Sequence, residues 1–492
     1  MSSHVNDTPP TYLFGRRDRG GLLLGFRAVQ LLMLGLGVAG VLLGLLAAGE
    51  GGGLAGLLGF LVAAFAALFP IQGRPLIDWV RPIANYGYLR VTGQARYLGG
   101  PRAVRRCRHM PRLDLPGLGQ QLRVLQAHTA NGPVAVLRVR DRWTVVLQVR
   151  GSNYVLADRA SQERRVSAWG ALLSQAGQEG SHIAGLQWLE RTVPDNGHAL
   201  QEWWAEKGDE QTPYAGAYAD LIRNAGPAAT RHETFVAVSI DALRMRRAIR
   251  QAGGGPEGTT KALLAELAWI RQALVQADIE VVGEVGPNDL ARLVRTQFDP
   301  SASEGIDRRP GRRTEAMPIV AAGPMASEAG WNHFRSDSGL HAVYWIAEWP
   351  AIPVEAAWCY PLLALGGIRR TVSVSAEPIP PSRSLREVRG QRVTKRADDA
   401  QRQRMGQVET AQDDAEFAAL ERREQELVRG HTEYRFTGWV AVTADHTDEL
   451  EAACAQVEQA CVRSALEVRR VYGEVDQAFA VAALPLNEGV HS

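Results

Sequence analysis

An apolar stretch near the N-terminus constrains this chain more than any other feature. It consists of two strongly apolar runs, Ala28 to Ala48 and Leu54 to Phe69, joined by a glycine-rich turn that carries Glu50. Each run has about the length of a membrane-spanning helix, roughly 20 residues, and the second is the shorter. A helix satisfies its own backbone hydrogen bonds in lipid. The sequence therefore predicts a transmembrane helical hairpin over residues 21–72.

Arginines flank this hairpin on both sides, whereas the turn carries none. The positive-inside rule then places both chain ends in the cytoplasm, which predicts a protein of the inner (plasma) membrane with two spans. We expect a cytoplasmic tail at 1–20 and a basic juxtamembrane segment at 73–112 that lies on the lipid bilayer. The residues expected at the membrane interface are Arg16, Arg17, Arg74, Trp79, Arg81, Arg105 and Arg106.

The remainder of the 492-residue chain has the patterns of an α/β (α+β) protein. Alternating apolar and polar residues predict strands, as at Val134 to Arg140 and Trp143 to Arg150, and Asp158 is the expected N-cap of a helix. The same strand-helix-strand-helix order ends both halves of the chain. We therefore expect two tandem, repeat-like subdomains, with a ferredoxin-like fold as one candidate for each. Their predicted bounds are 113–299 and 341–492, with a linker at 300–340.

A highly charged segment from 384 to 429 is predicted to form one long helix. Its only apolar feature is a thin seam of small side chains such as Val393 and Ala397. A helix this polar either bridges solvent or pairs with another helix. We favour an arm that contacts another subunit, so a homo-oligomer is expected, and a solvated helix is the alternative.

The sequence contains no recognisable catalytic or metal-binding motif. A phosphate-binding P-loop needs a lysine directly after a glycine, and none of the three lysines, Lys207, Lys261 and Lys395, has one. The four cysteines show no CxxC spacing. Cys454 and Cys461 lie seven residues apart on a predicted helix and are expected to face the protein core. We therefore predict a non-enzymatic protein without cofactor or metal. Whether nucleic acid contacts the loop from Arg308 to Arg313 stays open.

Several segments resemble a known group of membrane proteins. The lead-in from Tyr12 to Arg17, the hairpin, the exit from Gly73 to Leu76 with Trp79, and the segments 341–350 and 371–381 are similar to actinobacterial two-span proteins. Those proteins belong to conjugation or type IV secretion-like gene clusters. The hairpin also resembles the small PrgI-type membrane subunit, and the second half resembles the N-terminal domain of TraC-type conjugation ATPases.

The resemblance implies the membrane-docking half of a split motor, because the chain stops where the ATPase domain of that family would begin. A P-loop ATPase on another polypeptide and further secretion-channel subunits are then the expected partners. The docking end implied by the resemblance comprises Gln477, Phe479, Leu484, Pro485 and Leu486.

The leading functional hypothesis is a non-catalytic inner-membrane scaffold subunit of a type IV secretion or conjugation-like apparatus. The nearest alternative is a membrane component of a type VII secretion core, since some of these also pair two N-terminal spans with a cytosolic α/β domain. An alternative of another class is a membrane-bound enzyme with an unrecognised active site, which predicts a polar pocket with a carboxylate or histidine of perturbed pKa.

Overall fold

The computed structural model of this chain is an α+β fold with an apolar N-terminal helix and a 14-stranded antiparallel sheet. The structure describes residues 12, 14, 28–71, 74–99, 112–118, 122–129, 132–151, 154–194, 198–209, 211–225, 230–307, 319–404 and 411–487. The predicted α+β class is therefore confirmed.

The strands are β1 (Pro70–Ile71), β2 (Arg74–Pro75), β3 (Arg96–Leu98), β4 (Arg112–Leu113), β5 (Leu122–Thr129), β6 (Gly132–Val139), β7 (Arg142–Gly151), β8 (Ile183–Pro194), β9 (Thr230–Asp241), β10 (Ile279–Glu284), β11 (Ala326–Ala329), β12 (Phe334–Ser336), β13 (Gly339–Glu348), β14 (Arg369–Ile379), β15 (Glu433–Ala444) and β16 (Glu467–Arg470). The helices are α1 (Ala28–Leu68), α2 (Val80–Val91), α3 (Arg159–Ala176), α4 (His198–Lys207), α5 (Ala215–Ala225), α6 (Arg246–Gln251), α7 (Gly255–Gln276), α8 (Pro287–Phe298), α9 (Ala302–Asp307), α10 (Tyr360–Leu363), α11 (Pro381–Arg404), α12 (Ala411–Val428), α13 (Thr447–Arg463) and α14 (Val475–Ala483). Short 3₁₀ helices occupy Leu76–Trp79 and Ile319–Ala321.

The apolar segment α1 reverses direction at Ala48 and Gly49, whose backbone angles are not helical. Gly49 has a φ of 61°, which glycine adopts without strain. Because the two arms run back along each other, the Gln30 side-chain amide donates a hydrogen bond to the Ala67 carbonyl at 2.8 Å. By length and hydropathy, Gln30–Leu68 is one candidate membrane-spanning helix in the described part of the chain.

Glycines let the two arms of α1 approach closely at their turn. A Cβ on Gly44 would collide with the carbonyl of Gly52, and a Cβ on Gly52 would collide with the carbonyl of Gly44. Gly40 and Gly59 have no neighbour within 4 Å of an added Cβ. Gly44 and Gly52 therefore have a steric reason to be glycines.

The large sheet contains the same strand order twice. The order is β8-β9-β7-β10 in one unit and β14-β15-β13-β16 in the other. β8 and β14 pair antiparallel, with Leu189 opposite Ser373, so the two units form one continuous sheet. The strands of both predicted subdomains are therefore hydrogen-bonded across their shared boundary.

The segment predicted as a linker, 300–340, contains two strands of this sheet. β11 pairs with β3 on one side and with β12 on the other, and β12 pairs with β13. Both strands are short, and their side chains are mostly small or polar. Their pairing with distant parts of the chain, rather than a local apolar pattern, makes them strands.

Three apolar clusters hold the fold together. α8 and α14 lie on one face of the sheet and share a cluster that spans both units, in which the rings of Phe298 and Phe479 are 5.4 Å apart. On the opposite face, α3 and α7 cover the first unit, and α10 and α13 cover the second. Cys454 and Cys461 are buried there, as predicted. Asp158 caps α3 by accepting a hydrogen bond from the Ser161 amide, which confirms that prediction.

Two helices, α11 and α12, replace the single helix predicted from 384 to 429. They fold back on each other, because Arg392 forms ion pairs with Glu421 and Glu424 of the returning helix. The guanidinium of Arg392 also lies 5.5 Å from the centroid of the Phe417 ring. A polar helix that covers no apolar core is stabilised more by pairing with a second helix than by extending alone into solvent.

Candidate functional site

The chain that leaves α1 docks on the second unit through a cluster of aromatic rings. This Trp331 cluster comprises Trp79, Tyr86, Trp331 and Tyr472. The ring of Trp79 lies 5.5 Å from Tyr472 and 6.2 Å from Trp331, and Tyr86 meets Trp331 edge-on at 5.3 Å. Aromatic pairs in this distance range stabilise beyond their buried area. The segment after the apolar hairpin is therefore attached to the sheet domain.

Local backbone features allow this contact. The 3₁₀ helix Leu76–Trp79 and α2 present Trp79 and Tyr86 on one side. Gly473 has a φ of 75°, and a Cβ there would lie 2.9 Å from both the Pro82 carbonyl and the Trp331 ring. A glycine at this position is therefore needed for the close approach of α2.

Hydrogen bonds and ion pairs extend the contact beyond the rings. The Asn85 amide donates to Glu474 at 3.4 Å. Arg90 and Arg96 lie 3.5 and 3.4 Å from the Glu328 carboxylate, which belongs to β11. The two arginine contacts are largely exposed and the Asn85 contact is half-buried, so the aromatic rings supply most of the stabilisation.

A second aromatic cluster holds the chain before α1. This Trp349 cluster comprises Phe14, Trp349, Trp358 and Phe436. Phe14 stacks on Trp349 at 5.6 Å and meets Trp358 edge-on at 5.2 Å. Beside it, Tyr12 and Val354 exchange two backbone hydrogen bonds of 2.8 and 2.9 Å. Both flanks of the apolar hairpin are thus attached to the same unit.

The remaining face of α2 is apolar and exposed. Val80, Ile83, Tyr88 and Val91 lie on it, and Val91 is 90% exposed. Arg81 is also exposed. Trp79, also predicted to lie at the membrane interface, packs on the sheet domain. Of the other predicted interface residues, the side chain of Arg74 and all of Arg16, Arg17, Arg105 and Arg106 lie outside the described residues.

The residues predicted as a docking end lie mostly inside the protein. Phe479, Leu484 and Leu486 are at most 3% exposed and belong to the cluster between α8, α14 and the sheet. Pro485 is buried beside them, and Gln477 is half-buried. Because a partner cannot reach side chains that fill this core, we correct this assignment: the Leu-Pro-Leu segment packs the chain's own sheet.

Buried ion pairs are the most unusual electrostatic feature, and the sequence pattern did not reveal them. Arg370 and Glu190 pair at 2.5 Å where β14 meets β8, and both are nearly inaccessible. On the other face, Glu233 accepts hydrogen bonds from Arg191 at 2.7 and 2.9 Å. Burial opposes ionisation of Glu233, but Arg191, Arg292 and Arg231 outweigh it and lower its pKa to about 2.

Burial perturbs the pKa of several titratable groups. Burial, with a smaller effect of Arg369, lowers the pKa of His341 to about 3, and its ring contacts Ser336 and Thr443 at 2.7 and 2.9 Å. Burial raises the pKa of Cys359 and Cys461 to about 12, so both are thiols at neutral pH. Across the described ranges, no three His, Cys, Asp or Glu side chains are grouped to hold a metal. The Arg308–Arg313 loop lies outside those ranges.

Comparison with protein families gives one match. Residues 228–346 match the EccE family, described as a putative type VII ESX secretion system translocon. The matched segment runs from β9 into β13 and includes Glu328 and Trp331, two of the residues that contact α2; Tyr472 and Glu474 lie outside it. No curated protein matches the chain.

Proposed function

We propose that this chain is a membrane-anchored, non-enzymatic subunit of a type VII secretion apparatus. The observation that carries the proposal is the EccE family match, whose segment includes Glu328 and Trp331 of the surface on which α2 docks. It supports the type VII alternative rather than the type IV and conjugation hypothesis.

The arrangement of the hairpin supports a two-span anchor. Each arm of α1 has about the length needed to cross a hydrocarbon core roughly 30 Å thick. Phe14 and Trp79, on either side of α1, both contact the second unit. A segment that leaves and rejoins one domain crosses a bilayer an even number of times. With exposed Arg81, Arg90 and Arg96 on the domain side, we infer that this side is cytoplasmic.

The exposed face of α2 extends the anchor along the membrane surface. Its exposed aliphatic side chains follow soon after the apolar hairpin, and its Tyr86 ring is turned toward the sheet domain. We infer that Val80, Ile83 and Val91 contact lipid while Arg81 meets headgroups. The repeated strand order further supports two ferredoxin-like units as the cytoplasmic part.

Purification of the native complex tests the function. A tagged full-length chain, solubilised from its host in a mild detergent, should bring down other subunits of a type VII translocon, identified by mass spectrometry. Deletion of its gene should reduce secretion by that system. Recovery of conjugation subunits instead, or of the chain alone with secretion intact, would overturn the proposal. A P-loop ATPase partner and a homo-oligomer stay predictions that the same purification addresses.

A further inference from the structure

A groove of about 370 Å³ lies where the two units meet at one end of the sheet. The first unit contributes the β6–β7 turn and the end of β9, and the second contributes the end of β14 and the beginnings of α11 and β15. This size falls within the range of small-molecule sites. Its lining residues belong to neither aromatic cluster, although Arg435 directly precedes Phe436 of the Trp349 cluster, and the proposed anchoring role does not use the groove.

Arginines dominate the charge of the groove. Five line it, at 140, 142, 244, 383 and 435, together with the three carboxylates Asp141, Asp241 and Glu377. Arg142 is held by Glu377 at 2.6 Å and by the Asn487 carbonyl at 2.8 Å. Arg244 lies 3.6 Å from Asp241. These pairs neutralise two of the carboxylates, and an excess of positive charge remains.

Two of the arginines are available for a ligand. Arg383 and Arg435 are exposed, and within the described residues neither guanidinium has a hydrogen-bond or ion-pair partner. Arg435 lies opposite Glu377 in the strand register, but that carboxylate turns to Arg142 instead. Guanidinium groups that converge on one cavity bind phosphate oxygens in pairs of hydrogen bonds.

The repeated architecture provides an internal comparison. By strand register, Arg231 on β9 of the first unit is the equivalent of Arg435 on β15 of the second unit. Arg231 donates a hydrogen bond to Glu233 at 2.7 Å. At that opposite end of the sheet, Arg369 is also bound by both oxygens of Asp445, at 2.6 and 2.7 Å. Arg231 and Arg369 therefore pair with carboxylates of the protein itself, whereas, in the described part of the chain, Arg383 and Arg435 do not.

An apolar wall completes the groove. Leu243, which is half exposed, lies on one side, and Ile379 and Pro380 lie on the other. Such a wall is suited to a flat ring, while the arginines are suited to an anion. We propose that this groove binds a small phosphorylated ligand of mononucleotide size, with its phosphate on Arg383 and Arg435 and its ring against Leu243.

Ligand binding by the full-length protein in detergent tests this proposal. Adenosine monophosphate is the probe, with adenosine and inorganic phosphate for comparison, and isothermal titration calorimetry is the measurement. We expect saturable binding of the monophosphate, competition by inorganic phosphate, and adenosine binding at least tenfold weaker. Arg383→Ala and Arg435→Ala should each lower the affinity for the monophosphate about tenfold, because each removes a charged hydrogen-bond donor. Leu243→Ala should lower the affinity for the monophosphate and leave the affinity for inorganic phosphate unchanged.

Arg463→Ala is the matched control, since it removes one exposed arginine from α13 and should leave binding unchanged. Absence of saturable binding by the unmodified protein would overturn the proposal. Equal affinities for adenosine and its monophosphate, or affinities that the two arginine variants do not change, would do the same. Membership in a secretion complex is measured separately, so failure here and failure of the proposed function are distinguishable.

Discussion

Trp79 and Tyr472, from opposite ends of the sequence, pack with ring centroids 5.5 Å apart and fix the apolar hairpin to the sheet domain. Trp331 lies beside both rings, at 6.2 Å from Trp79 and 6.1 Å from Tyr472. The three rings join segments that no local pattern links. Of the three, Trp331 belongs to the part of the chain that matches the EccE family.

Replacement of Trp79 should release α2 from the sheet domain. Trp79→Ala removes two aromatic contacts, and we expect the free energy of unfolding to fall by about 2 kcal/mol. Hydrogen exchange of α2 in the detergent-solubilised protein measures the release. Tyr88→Ala is the control, because Tyr88 lies on the exposed face of the same helix. Equal protection of α2 in both variants would contradict a docking role for Trp79.

The buried pair of Glu190 and Arg370 should be sensitive to loss of one partner. Glu190→Gln leaves the Arg370 guanidinium buried without its counter-charge, and we expect a loss of about 3 kcal/mol of stability. Denaturant unfolding of the full-length protein gives this value. Glu280→Gln, whose carboxylate pairs with Arg150 at the surface, should change stability by less than about 1 kcal/mol. Similar losses in both variants would show that burial of the pair is unimportant.

Acid should destabilise the protein through His341. Its folded pKa of about 3 lies below the ordinary value of 6.5, so the unfolded chain binds the extra proton first. The stability present above pH 6.5 is therefore lost progressively as the pH falls toward 3. Between pH 6.5 and 5 this amounts to about 2 kcal/mol.

Denaturant unfolding at pH 7 and pH 5 measures this effect. His341→Gln should show a smaller difference between the two pH values than the unmodified protein. His446→Gln, which changes an exposed histidine, should keep the full difference. An unchanged pH dependence in His341→Gln would rule out this histidine as its source.

The turn of the hairpin should tolerate no side chain at Gly44. Gly44→Ala places a Cβ against the Gly52 carbonyl, and relief of that collision separates the arms at a cost of about 1–3 kcal/mol. Faster hydrogen exchange around residues 40–56 would report the separation. Gly59→Ala adds the same atom where an added Cβ has no neighbour within 4 Å, and exchange should be unchanged. Identical exchange in the two variants would contradict close packing of the arms.

Patterns that depend on neighbouring residues were predictive. The alternation at Trp143 to Arg150 gave β7, and Asp158 caps α3 as expected. The turn between the apolar runs appears at Ala48 and Gly49. Each of these is decided within a few residues of the chain, where side-chain periodicity and capping operate.

Features that depend on distant residues were not predictable in this way. The pairing of β8 with β14 joins residues that are far apart in sequence, and its buried charges resemble ordinary surface charges when read locally. β11 and β12 contain too few apolar residues to stand out. Leu484 and Leu486 are buried because they belong to the apolar cluster that α8, α14 and the sheet form together, and a single sequence does not display that cluster.

Because the chain contacts the sheet domain both before and after the hairpin, the two parts are joined at two points rather than one. A domain on a single flexible tether can swivel freely about it. Here Phe14 and Trp79 both contact one unit, so the aromatic contacts on the two sides oppose a swivel of the domain about the hairpin. In the proposed membrane anchor, the domain would keep lateral diffusion and rotation about the membrane normal. A subunit anchored as proposed would reach its neighbours with its orientation already set, which would lower the entropy lost when they assemble.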